Sequence, residues 1–376
     1  MVYKILHFSD LHLDASFAGQ GFPLDYGNER RLGLRATLTQ IFSKAREYKV
    51  DAVTIAGDLF VQEYLFPETA DFIRKQFASL DPIRVIISPG FQDPYSNESI
   101  YSNFKWPRNV DIFNQSKLAS LQLTPEIYIW GASNPPTRGR NLLDGFQLKN
   151  GVNILLLHAL KKPDSSDIHV ISNEVVQKAG FHLALLGGEH AAEILPLEKS
   201  KLIFPGSPEP LSPLEEMNSH KLALIEVDEK NIRVQPLSVR QWHYHIIEVD
   251  VTTCKSNSEV AQSIEAAIET DIAKSHTSAI TVKLIGKPTF ALNLFELRAL
   301  IQSSSFFCLE DYFTINYDLE ILAREQTVRG LLVQRFLSRI GSEVSETEKQ
   351  RQLTALNMIL QSLGESQVGL YEIKKN

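Results

Sequence analysis

Over roughly the first 240 residues, apolar positions fall into short runs separated by longer stretches at helical spacing. That is the rhythm of strands alternating with helices in a layered α/β domain. The runs predict strands at Tyr3–Phe8, Ala52–Ala56, Arg84–Ile87, Ile127–Trp130, Asn153–Leu157 and Leu183–Leu186, with helices at Arg30–Tyr48 and Glu68–Ser79. Lys221–Val227 and Ile232–Pro236 flank Asp228-Glu229-Lys230-Asn231 and read as a hairpin. Polar loops rich in Pro and Gly intervene, notably Ser133–Arg140 and Pro205–Pro213.

A second unit is expected to begin near Trp242, with strands at Tyr244–Val251, Ala279–Leu284 and Phe306–Asn316 and helices at Glu259–Ala273 and Ala291–Ser303. From about Asp318 the pattern changes. Val328, Leu331, Leu332, Phe336 and Ile340 make an apolar stripe at helical spacing, with Arg324, Arg329, Arg335 and Arg339 nearby. A last amphipathic helix is predicted over Ser345–Leu363, where Ser345 and Glu348 match a capping box. Such stripes serve either a core or a docked partner. The expected domains are therefore residues 1–240, 241–317 and 318–376.

Composition adds little to this. In 376 residues, 43% are hydrophobic and 22% charged, which is ordinary for a globular chain. A formal net charge of −7 argues against a generally basic coat for nucleic acid, yet leaves room for a local basic patch or a bound cation. The opening MVYKILHFSD holds too short an apolar stretch for a secretory leader, and no membrane-length run occurs. Cys254 and Cys308 form no metal or redox motif. A cytoplasmic protein is expected.

The chemistry gathers at strand ends, where α/β domains build their sites. Asp10 and His12 follow the first predicted strand, Asp58 the second, and His158 and His190 two later ones. A single histidine there is more often structural, and a Gly-Asp pair is more often a turn. Their joint occurrence, each after an apolar strand, points to a divalent ion such as manganese, iron or zinc.

Phe8-Ser9-Asp10-Leu11-His12-Leu13-Asp14 and Ala56-Gly57-Asp58-Leu59-Phe60 resemble the first motifs of the calcineurin-like metallophosphoesterases. Leu156-Leu157-His158 and Phe204-Pro205-Gly206-Ser207-Pro208-Glu209 narrow the resemblance to SbcD-type DNA nucleases and their YhaO-type relatives. The resemblance is specific over about residues 1–240 and looser beyond. It implies a four-layer αββα sandwich, followed by a small α+β capping domain and C-terminal partner-binding helices. It also implies one metal held by Asp10, His12, Asp58 and His190.

A second metal would use Asp58 and His158, but Phe91 and Gly188 stand where that site's Asn and His belong, and Gln92 replaces the catalytic His. Phenylalanine and glycine offer no side-chain ligand atom, and glutamine cannot act as a titrating acid near neutral pH. One ion, with manganese favoured, is expected rather than two, and efficient two-metal hydrolysis is expected to be impaired. Glu189 is a conceivable replacement ligand, although strand alternation turns it away from His190, and Gln92 has an amide oxygen to offer. Asp93 is expected to hold its loop, and His169 and His182 to be structural.

Three functions compete on this reading. The first is a DNA-binding and assembly subunit for DNA repair or defence with weakened nuclease activity. The second is an active nuclease using one metal or completed by a partner. The third is a metal-free interaction module. The resemblance implies DNA, an SbcC-like SMC-type ATPase or another ATPase or helicase, and a second copy of the chain as partners, with Arg30–Tyr48 or Glu68–Ser79 at the dimer contact. Trp106, Arg108, Arg138 and Arg140 are candidate phosphate contacts near the cleft loops.

Overall fold

In the computed structural model, residues 2–133, 146–161, 171, 173–196, 200–228, 231–271, 277–303, 306–339 and 345–364 are described. Four parallel strands open the chain: β1 (Tyr3–Phe8), β2 (Ala52–Ile55), β3 (Arg84–Ile87) and β4 (Val110–Ile112). They are connected through α1 (Tyr26–Glu47), α2 (Pro67–Ala78) and the short α3 (Ile100–Asn103). The chain then builds β5 (Ala119–Thr124), β6 (Ile127–Gly131), β7 (Val152–His158), α4 (Asn173–Ala179), β8 (Leu183–Gly187), β9 (Glu193–Pro196) and β10 (Lys201–Phe204). It returns through β11 (Leu222–Val227) and β12 (Ile232–Leu237) to the open edge of β1, giving two six-stranded mixed sheets. Their orders are β12-β11-β1-β2-β3-β4 and β5-β6-β7-β8-β10-β9.

Strand alternation sends half of each strand's side chains to each sheet face. Ile5, Ala52 and Ile86 of the first sheet meet Ile129, Ile154, Leu156, Leu183 and Leu185 of the second in one buried cluster, so the sheets pack face to face. The opposite face of the second sheet, through Trp130, Leu155, Leu157, Ala184 and Leu186, packs with Val176 and Ala179 of α4. Parallel strands buried on both faces read as continuous apolar runs, which is why β7 and β8 were legible.

The differences from the sequence pattern have physical causes. β5 and β9 are partly exposed edge strands, and β4 and β10 hold only three and four residues, so none carries a strong period-2 signal. α1 begins at Tyr26 rather than Arg30. Tyr26 is buried against Phe17 and Trp242, a tertiary contact that overrides the polar Gly27-Asn28 start.

Residues 1–243 form one compact unit and 244–376 another. The second carries β13 (His243–Asp250), α5 (Asn257–Asp271), β14 (Ser278–Gly286), α6 (Leu294–Leu300) and β15 (Phe306–Phe313). The strands lie in the order β13-β14-β15, with β14 and β15 parallel, over a core of Ile247, Val260, Ile264, Ile280, Val282 and Leu297. α6 starts later than its apolar spacing suggests, because Asn293 caps it by accepting from the N–H groups of Phe295 and Glu296.

The tail forms α7 (Leu319–Leu322), α8 (Val328–Arg339) and α9 (Glu346–Gly364), joined by a small cluster of Leu322, Val333, Leu356 and Leu360. One arm of the expected capping box is present, the Glu348 N–H donating to Ser345 Oγ at 3.4 Å. Ile340, His169, Arg138, Arg140, Glu229 and Lys230 lie outside the described residues. Both cysteines are free and buried, and no described helix is long and apolar enough to cross a membrane.

Candidate metal centre

The parallel strands of both sheets deliver their C-terminal ends to one place. Asp10 and His12 leave β1, Asp58 leaves β2, His158 is the last residue of β7, and His190 follows β8. The backbone turns sharply there. Asp10, His12 and Asp58 have φ of 55°, 50° and 51°, in the left-handed region that side chains avoid and that functional sites often hold under strain. The two strained turns brace each other, Asp10 N–H donating to Gly57 C=O at 3.1 Å and His12 N–H to Asp58 C=O at 2.9 Å.

The chain also passes unusually close to itself. A Cβ on Gly90 would lie 2.3 Å from Asp58 Oδ1, and one on Gly57 would lie 2.6 Å from Gly90 Cα. Only glycine fits at either position, so the turns after β2 and β3 lock together.

Side chains then converge. Atoms of Asp10, His12 and His190 lie within 4.8 Å of one another, as do atoms of Asp10, Asp58 and His158. His12 Nε2 stands 3.3 Å from His190 Nε2 and 3.8 Å from Asp58 Oδ2, while His158 Nε2 is 3.5 Å from the same Asp58 oxygen. His158 donates Nδ1–H to Ala56 C=O at 2.8 Å, which leaves Nε2 aimed into the site. His190 is held from behind by Glu215, whose Oε1 is 3.0 Å from Nδ1.

This set of donors suits a cation. The two facing Nε2 atoms can share only one proton, and Asp10 and Asp58 are buried beside them. Among the described residues neither carboxylate has a lysine or arginine within ion-pair distance. In the absence of a cation only protons on these histidines can balance the two buried carboxylates, and a divalent ion takes over that role while leaving the imidazoles neutral. Carboxylate oxygen mixed with imidazole nitrogen is the donor chemistry of manganese, iron or zinc.

Burial lowers the pKa of His12, despite the upward pull of Asp58 and Asp10. Burial also opposes protonation of His158 and His190, but neighbouring charges win. Asp58 and Asp10 raise His158, and the hydrogen bond from His190 to Glu215, together with the charge of Asp10, raises His190 to about 9. A bound cation must displace that proton.

The remaining sequence candidates divide. Asp93 does hold its loop: its carboxylate accepts from the N–H groups of Asp58, Leu59 and Gly90 and from the Tyr101 hydroxyl. Burial, and then the charge of Asp58, push its pKa up to about 7. Four donors meeting four lone pairs nevertheless fit the charged form.

Gln92 is exposed and supports Asp58 through its backbone, its N–H donating to Asp58 Oδ1 at 2.8 Å. Phe91 sets its ring 5.3 Å from that of His158, edge to face, beside the Asp58–His158 pair. Gly188 supplies its N–H to both oxygens of Asp10, at 3.1 and 3.0 Å. Glu189 turns to the Lys161 N–H at 2.9 Å, and His182 Nδ1 accepts from the Asn153 N–H at a strand start.

Arg108, just ahead of β4, pairs with Asp81 at 2.8 Å by the N-terminal ends of β3 and β4, whereas the metal candidates occupy C-terminal ends. Trp106 packs on Phe77 and on Tyr101, whose hydroxyl bonds Asp93.

Two contributors were invisible in the sequence. Glu215 lies 25 residues beyond His190 in a proline-rich loop with no period to betray it. His7 bonds Thr54 Oγ1 at 3.1 Å across β1 and β2, a polar pair between the sheets just below the site.

The model of the calcineurin-like phosphoesterase family matches residues 3–191. The uncharacterized metallophosphoesterase YhaO of Bacillus subtilis (strain 168) is 24% identical over 277 residues, covering 69% of this chain and 66% of its own length. The chain thus spans just under two thirds of that relative. Among solved structures, TT1561 of Thermus thermophilus aligns with 63% of this chain and 99% of its own at 15% identity and a TM-score of 0.40. A dimetal phosphatase from Danio rerio covers 62% of this chain and 95% of its own, at 11% identity and a TM-score of 0.38.

Proposed function

The chain belongs to the calcineurin-like phosphoesterase family, and from that premise we propose that it is an SbcD-like, YhaO-type DNA-processing subunit. It binds one divalent ion, preferably manganese, and hydrolyses phosphodiesters weakly. The observation that carries this reading is the asymmetry around Asp58. On one side Asp10, His12 and His190 close a ligand set. On the other, Asp10, Asp58 and His158 also converge, but beside the ring of Phe91 and a glycine whose N–H is already committed to Asp10, neither of which offers a further side-chain ligand.

Asp10, His12, Asp58 and His190 are the proposed ligands. An ion held there would supply Lewis-acid polarisation of a phosphoryl oxygen. Asp93 and Gly90 fix Asp58, Glu215 fixes His190, and Ala56 fixes His158. Gln92 offers a phosphate a hydrogen bond but no proton, and a missing acid–base group typically costs about 10²–10⁴ in rate.

Substrate retention and assembly are then the main roles. The tail supports a docking function, since Val328, Leu331, Met358 and Leu363 are exposed on α8 and α9. An SbcC-like SMC-type ATPase, or another ATPase or helicase, is the proposed partner there, and a homodimer the proposed assembly.

A second reading, hydrolysis with one metal or with residues lent by a partner, is favoured by His158, whose Nε2 still faces Asp58. Elemental analysis of the purified protein after manganese loading, paired with DNA degradation assays, separates the two. One ion per chain with weak degradation supports the proposal. Degradation that is rapid and abolished by Asp58→Ala supports the second reading, and no bound ion defeats both.

A further inference from the structure

Behind His190 lies a closed circuit of hydrogen bonds. The Ser207 N–H donates to His190 C=O at 3.1 Å, and the Ser207 hydroxyl can donate to His220 Nδ1 at 3.1 Å. His220 Nε2 lies 2.9 Å from Glu215 C=O, and Glu215 Oε1 returns to His190 Nδ1 at 3.0 Å. The second Glu215 oxygen accepts from the Leu211 N–H at 2.9 Å, which fastens the turn Pro213–Glu215 that carries it. Both ends of the circuit meet on His190, its carbonyl and its ring.

From this geometry we infer that Glu215 is a positioning residue. It acts through His190 Nδ1 to hold the ring so that Nε2 faces His12, Asp10 and Asp58. The inference rests on the proposed metal role of those residues. The physical basis is that a ligand imidazole has two nitrogens and a free χ2. A hydrogen bond to the outer nitrogen fixes both the ring plane and the proton on that side, leaving the inner lone pair for the ion. Nothing else described does this for His190, which stands on a loop rather than on a strand and is partly exposed. His158, by contrast, closes β7 and is buried, and a backbone carbonyl holds its ring. The backbone clamp, from Ala56 just past β2, depends on no side chain. A side-chain clamp depends on one residue and can be removed by substitution.

The test is manganese affinity, measured by electron paramagnetic resonance, in the wild type, Glu215→Ala and Glu215→Gln, with metal-free thermal unfolding of each. Glu215→Ala is expected to weaken manganese binding about 10–100-fold, with the metal-free midpoint little changed. Glu215→Gln, which keeps an acceptor for Nδ1–H while turning its NH₂ toward the Leu211 N–H, should recover part of the loss. If Glu215→Ala does not fold, Glu215→Met, of similar size and without a comparable acceptor, takes its place. Wild-type affinity in Glu215→Ala or Glu215→Met overturns the inference. So does a loss that Glu215→Gln fails to restore and that tracks a lowered midpoint, the mark of general packing. Failure of the wild type to bind manganese would instead remove the metal reading beneath it.

Discussion

Replacing Asp93 should damage both folding and metal binding, by amounts that follow from its four partners. Its Oδ1 accepts from Asp58 N–H at 2.9 Å and Gly90 N–H at 2.6 Å, and its Oδ2 from Leu59 N–H at 2.8 Å and the Tyr101 hydroxyl at 2.7 Å. Asp93→Ala orphans three amides and a hydroxyl in a buried loop, and each orphaned donor costs about 1–3 kcal/mol. If water reaches one or two of them, the net loss is about 2–9 kcal/mol, a large part of a typical total of about 5–15 kcal/mol.

Asp93→Asn keeps one oxygen for the Asp58 and Gly90 amides but turns an NH₂ toward Leu59 N–H. Donor then faces donor, which costs about 1–3 kcal/mol, while the Tyr101 hydroxyl can rotate to accept. Because the Asp58 amide hangs from this carboxylate, Asp93→Ala should also bind manganese about 10–100-fold more weakly, and Asp93→Asn, which keeps that bond but loosens the neighbouring Leu59 amide, should weaken binding less. Urea unfolding of the metal-free proteins and manganese titration measure the two effects. Asp93→Asn within about 0.5 kcal/mol of wild type, a change ordinary for neutral surface positions, with unaltered manganese affinity would refute the reasoning.

Burial between the sheets drops His7 to a pKa of about 4 from 6.5. The unfolded chain therefore gains this proton first as pH falls, and about 3 kcal/mol of stability present above pH 6.5 should drain away toward pH 4. Urea unfolding of wild type and His7→Gln should diverge in that window, and parallel pH profiles would contradict the assignment. Phe91→Asn should raise the manganese stoichiometry above one by opening a ligand position beside His158. Gly188→His should not, because φ is 102° there and a Cβ would sit 3.0 Å from the Ala159 carbonyl oxygen; metal titration distinguishes them. Leu156→Ala, emptying a fully buried site between the sheets, should cost about 2–5 kcal/mol by urea unfolding.

Strands buried on both faces were legible in the amino-acid pattern, because continuous apolar runs such as Ile154–Leu157 and Leu183–Leu186 permit little else. The same pattern marked the polar side chains that follow them, Asp10, His12, Asp58, His158 and His190. Parallel strands place their C-terminal ends on one side within each sheet, and the packing of the two sheets face to face then brings Asp10, His12 and Asp58 to His158 and His190. The edge strands β5 and β9 and the early start of α1 escaped, since each depends on tertiary partners rather than on local period.

How the site is held depended on contacts between distant parts of the chain. Glu215 reaches His190 from 25 residues away, Asp93 braces the Asp58 turn, and Gly57 and Gly90 let two turns touch. The same contacts put Arg108 beside Asp81 rather than at the strand ends that carry the site. Ligand positions are written into strand ends by hydrophobic burial, whereas the groups that aim those ligands come from loops. A loop's course is fixed by packing and hydrogen bonds that leave no period in the sequence.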